Sequence, residues 1–147
     1  MSGIVCAVRG GPASQPTIRR AIRTALENEL PLYFLYIVNV DFLEHTSSSR
    51  VRTIIEEMSE MGEFILLAAQ ATAAAQGVEA HGIVRRGHVT EEIVALCREK
   101  EADYLVVGRP REDSEANLLT DPLLAAFIHN VEQQTGARVV LPEEGER

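Results

Sequence analysis

The chain is short of basic residues: 14 Lys and Arg stand against 22 Asp and Glu, giving a formal charge of −8. A nucleic-acid surface needs a basic stripe, and docking on anionic lipid needs cationic residues, so neither partner is expected. Cysteine is scarce, with Cys6 and Cys97 as the two present. Each falls in an apolar pattern, which reads as a buried thiol in a reducing compartment rather than half of a disulfide. No apolar run approaches a membrane span. The opening MSGIVCAVRGG lacks the basic region and apolar core of a signal peptide, so a cytoplasmic location is expected.

Recognisable catalytic chemistry is also missing. His45, His81, His88 and His129 are dispersed, without an H-x-x-x-H spacing, so no metal is expected. Ser14, Ser47, Ser48 and Ser49 lack the G-x-S-x-G setting of a nucleophile elbow. There is no Walker loop and no G-x-G-x-x-G, and Gly10-Gly11 alone reads as turn chemistry. With no acid/base pair, nucleophile or metal set, an enzyme is not expected; a flavodoxin-like or nucleotide-hydrolase-like enzyme is the outlying alternative.

What is present is an alternation of strands and helices. The 147 residues are 46% hydrophobic and 24% charged, which suits one globular domain, assigned here to residues 1–142 with a frayed tail over 143–147. Ile4–Val8 is an apolar strand ending at Arg9-Gly10-Gly11-Pro12. A helix follows, with Ser14 as its cap, Pro16 in its first turn and an apolar face of Ile18, Ala21, Ile22, Ala25 and Leu26, stopping at Pro31. Leu32–Val40 is apolar almost throughout, as in a strand covered on both faces. After a polar connection, a long helix places Val51, Ile54, Ile55, Met58, Met61, Ile65, Leu66, Ala69 and Ala73 on one core-facing stripe and ends at Gly77. Val78–Val84 reads as the third strand, Arg85-Arg86-Gly87-His88 as a turn, and Thr90–Glu101 as a helix with His88 a poor cap. Asp103–Val107 is the fourth strand, about Pro122–Gln134 the last helix, and Arg138–Leu141 the last strand. This order predicts a three-layer α/β sandwich with a parallel sheet and helices on both faces.

In such a sheet a ligand sits where the winding reverses, here at the carboxyl ends of the first and fourth strands. Val8, Arg9 and Gly10 would face Gly108 and Arg109 there. The loop after Gly108 carries no glycine from Arg109 to Asn117 and holds the carboxylates Glu112, Asp113 and Glu115. Phosphates bind at helix starts through free backbone N–H groups. Asp121-Pro122 opposes this: Asp caps those donors and adds negative charge, and Pro lacks an N–H. The arginines pull the other way. Arg9, Arg109 and Arg111, with Arg85 and Arg86, can converge on an anion, or Arg109 and Arg111 can pair with the loop carboxylates.

These strings resemble the universal stress protein family. VRRGHVTEEIVALCREKEADYLVVGRPR, from Val84, is similar to the family's stretch from third to fourth strand, and FLYIVNVD, from Phe34, to its second strand. The resemblance implies a five-stranded parallel sheet of order 3-2-1-4-5, as in adenine nucleotide alpha hydrolase-like folds. It also implies a homodimer through the fifth strands and, in one branch, ATP in the crevice. That branch carries Gly-x2-Gly-x9-Gly-Ser/Thr after the fourth strand. Here the four positions are Gly108, Arg111, Asp121 and Pro122, so one of the four is retained. The family's adenosine-side aspartate is Arg9, and its adenine-lining aliphatic falls near Ile37. The expectation is a cytoplasmic regulatory protein with an unidentified protein partner that does not hold ATP in the usual way. The alternative is a sensor of ATP, AMP or another small anion.

Overall fold

The computed structural model describes residues 2–10, 14–39, 48–108 and 121–142. Nine elements alternate along the chain: β1 (Ile4–Ala7), α1 (Gln15–Asn28), β2 (Leu32–Asn39), α2 (Ser48–Ala75), β3 (Ala80–Gly87), α3 (Val89–Glu99), β4 (Tyr104–Val106), α4 (Asp121–Thr135) and β5 (Arg138–Val140). The five strands form one parallel sheet of order β3-β2-β1-β4-β5.

Strand alternation sorts the core into two layers. Ile4 and Cys6 of β1, Val8 just after it, and Phe34, Tyr36 and Val38 of β2 pack under α1 and α2 with Ile18, Ile22, Leu66 and Ala69. Val5, Leu35 and Leu105 pack on the other face with Ile93, Leu96, Cys97 and Val131 of α3 and α4. The central strands are buried on both faces, which is why β2 reads as a continuous apolar run.

Five local expectations need correction. Ser14 stands at the N-cap of α1 but makes no side-chain cap hydrogen bond; its hydroxyl donates to the Gly10 carbonyl and accepts from the Arg9 N–H. Arg85-Arg86-Gly87 is not a turn. β3 begins two residues later than expected, at Ala80, and stays paired with β2 through Asn39 opposite Gly87. An edge strand tolerates arginines because one side of its backbone faces solvent.

Arg85 is not free for the crevice either: Nη1 and Nη2 donate to the two Glu99 carboxylate oxygens at 2.6 and 2.9 Å, docking α3 on the edge strand. That pairing holds the Glu99 carboxyl below its usual range. Finally, Met61 leaves the core stripe of α2 and is 58% exposed. Gly62 takes the core side instead, because a Cβ there would run into the Tyr36 ring.

Leu26, expected on the apolar face of α1, is 49% exposed, while the expectations for His88 and the two cysteines hold. His88 stands at the N-cap of α3 and makes no side-chain cap hydrogen bond, the poor cap expected. Cys6 and Cys97 are free and buried. Burial raises both thiol pKa values, that of Cys97 to about 12. Val40 and the tail from Glu143 lie outside the described residues.

Candidate functional site

β1 is flanked by β2 on one side and β4 on the other, so the winding reverses between β1 and β4. Cys6 lies opposite Val106, and Ala7 opposite Leu35. Extending those offsets puts Val8 level with Gly108 and Arg9 level with Ile37. Val8, Arg9, Gly10, Ile37 and Gly108 therefore share one rim of the sheet. Arg109 and Arg111, and the side chains of Asp121 and Pro122, lie outside the described residues; α4 itself opens at Asp121.

Each rim residue has a visible structural role or exposure. Val8 is 4% exposed and belongs to the α1/α2 core. Ile37 packs on the opposite layer, against the α3/α4 cluster. Gly10 adopts φ +88, and a Cβ there would lie 2.5 Å from Ile65 Cδ1, so the turn is both left-handed and closed down by α2. Ser14 pins this turn through the two hydrogen bonds above.

Gly108, the one retained position of the phosphate motif, has a packing reason of its own: a Cβ there would lie 2.9 Å from Thr17 Oγ1. Thr17 and Ile65 thus help to wall the crevice, although the sequence did not single them out for it. A threonine in the first turn after Ser14 is a weak signal, and nothing local marks Ile65.

Arg9 is the exposed group on this rim. No carboxylate among the described residues pairs with its guanidinium. His81 stacks on Tyr33 and contacts Glu79 at 3.1 Å, away from the rim. No cluster of metal-ligating side chains occurs among the described residues. A cleft lined by Leu26, Glu29, Pro31 and Val78 opens at the opposite, amino-terminal end of the sheet. Chemically, the described residues of the rim offer the exposed Arg9 guanidinium, a pinned turn and close backbone approach, with no acid/base pair among them.

The universal stress protein family model matches residues 1–134. The chain belongs to the universal stress protein family. A universal stress protein of Methanocaldococcus jannaschii is 27% identical over 128 residues, covering 86% of this chain and 75% of that protein. A solved universal stress protein from Lactobacillus plantarum superposes with a TM-score of 0.77 at 14% identity, covering 97% of each chain. Another, solved in complex with cAMP, gives 0.69 at 22% identity over 97% of each chain. The fold of this universal stress protein is thereby the adenine nucleotide alpha hydrolase-like one, with sheet order as expected. No helix among the described residues is long and apolar enough to cross a membrane.

Proposed function

We propose that this universal stress protein is a non-catalytic cytoplasmic regulator whose crevice does not grip nucleotide phosphates in the manner of the ATP-binding branch. The observation that carries the reading is the opening of α4 on Asp121-Pro122. A proline in the first turn supplies no N–H, and an aspartate in the sequence there brings negative charge to the helix start, where a phosphate would need the opposite. Gly108 supports the same reading, since packing on Thr17 accounts for it without a ligand.

Isothermal titration with ATP, AMP and cAMP tests this. The expected result is no saturable ATP binding at micromolar concentration; micromolar binding overturns the reading. The triple variant Arg111→Gly, Asp121→Gly, Pro122→Ser should gain ATP affinity by at least about tenfold, roughly one hydrogen-bonded charge interaction.

A second reading rests on Arg9. An exposed guanidinium on a pinned turn at the switch point suits a small anion or an adenine nucleotide, and a relative is known in complex with cAMP. In that case Arg9→Ala abolishes whatever binding the titration detects. We further propose a homodimer through β5, whose Arg138–Val140 segment pairs with β4 and is an edge of the sheet.

A further inference from the structure

The outward face of α2 is apolar where a surface helix is ordinarily polar. Met61, Phe64 and Leu67 are 58%, 74% and 64% exposed, and Ala68, Ala71 and Ala75 are exposed beside them. The same stretch buries Leu66, Ala69 and Ala73 on its inner side, so this half of the helix is apolar front and back. The outer residues are not scattered. Positions 57, 61, 64, 68, 71 and 75 advance in alternating steps of four and three, the seam spacing by which one helix packs along another.

We infer that this seam packs against α2 of a second copy of the chain, antiparallel, about a two-fold axis near Leu66. In that register Phe64 meets the partner's Ala68, Met61 meets the partner's Ala71, and Glu57 meets the partner's Ala75. Large side chains thus fall on small ones, which lets the helices approach closely while the ring of Phe64 fills the space left. Charge selects the same arrangement. The amino-terminal half of the face carries Glu56, Glu57 and Glu60, whereas the half from Met61 to Ala75 has Glu63 as its one charged side chain. A parallel pair would stack the glutamates on their own copies; the antiparallel pair sets Glu57 beside Ala75 and Glu60 level with Thr72.

The helix overhangs its partner usefully as well. With 28 residues α2 is about 42 Å long, so its first turns, bearing Arg50 and Arg52, extend past the partner helix's carboxyl end. That end carries the negative pole of the helix dipole, which favours cations. α2 covers β2 and β3, the half of the sheet away from β5, so this contact is separate from any pairing of β5 edges.

Sedimentation and cysteine cross-linking test the proposal on the full chain. Phe64→Glu should halve the mass of the largest assembly at equal concentration, with the far-ultraviolet circular dichroism unchanged because the site is on the surface; an unchanged mass overturns the proposal. For the register, Met61→Cys and Ala71→Cys chains are prepared separately and mixed, the native thiols being buried. Oxidation of the mixture should give a covalent heterodimer. Each variant alone should not cross-link, since like positions lie about 15 Å apart along the axis, beyond disulfide reach. Self-cross-linking of each variant alone indicates a parallel pair and overturns the antiparallel one, and absence of any cross-link overturns the interface altogether.

Discussion

The rim at the carboxyl ends of β1 and β4 and the outer face of α2 are mirror images in what they offer. At the rim, the family position invites a ligand, yet apart from the exposed Arg9 the described groups have structural work: Val8 in the core, Gly10 under Ile65, Gly108 against Thr17 and Ser14 in the turn it pins. On α2, by contrast, large apolar side chains face outward. A location in a fold is therefore not a sufficient guide to where this chain has chemistry to spare. Burial and partner counts at each side chain are.

The contrast can be broken most forcefully at Gly10. Gly10→Ala forces a Cβ into a left-handed turn and onto Ile65, and should cost about 2–4 kcal/mol of unfolding free energy by urea titration. A neutral result would mean that the turn is loose and the rim open. Ser14→Ala comes next. It strips the Arg9 N–H of its acceptor and should cost about 1–2 kcal/mol in the same measurement. If Ser14→Ala instead changes nucleotide titration without changing stability, the hydroxyl belongs to a site and not to the turn.

The smallest effect is expected at Glu99. Its carboxyl pKa is lowered, chiefly by the hydrogen bonds from Arg85. A lowered value favours the folded state above the ordinary glutamate range, and the contribution fades as pH falls through the lowered value. Glu99→Gln should therefore narrow the gap in melting temperature between pH 7 and pH 3, with little change elsewhere. An equal loss at every pH would show that packing of the side chain matters and its charge does not.

Much of the architecture could be read from the residues. The order of strands and helices followed from apolar periodicity, and doubly buried β2 from its unbroken run. The misreadings have particular causes. Arg85-Arg86-Gly87 has turn composition, but pairing with β2 and an ion pair to α3 outweigh local preference. Met61 fits the helical stripe as well as Gly62 fits a break in it; the Tyr36 ring, distant in sequence, decides which one faces inward. At the rim, the loss of the phosphate glycines was visible at once. The reason Gly108 persists was not, because Thr17 reaches it across a different element.

The two cysteines lie on opposite faces of the sheet, Cys6 beneath α1 and α2 and Cys97 beneath α3 and α4. Nature has thus placed one chemical clock in each layer. Under a thiol reagent, each clock starts when its own helices lift away. Equal labelling rates would mean that the sandwich opens as one unit; unequal rates would show one pair of helices peeling off while the other still holds.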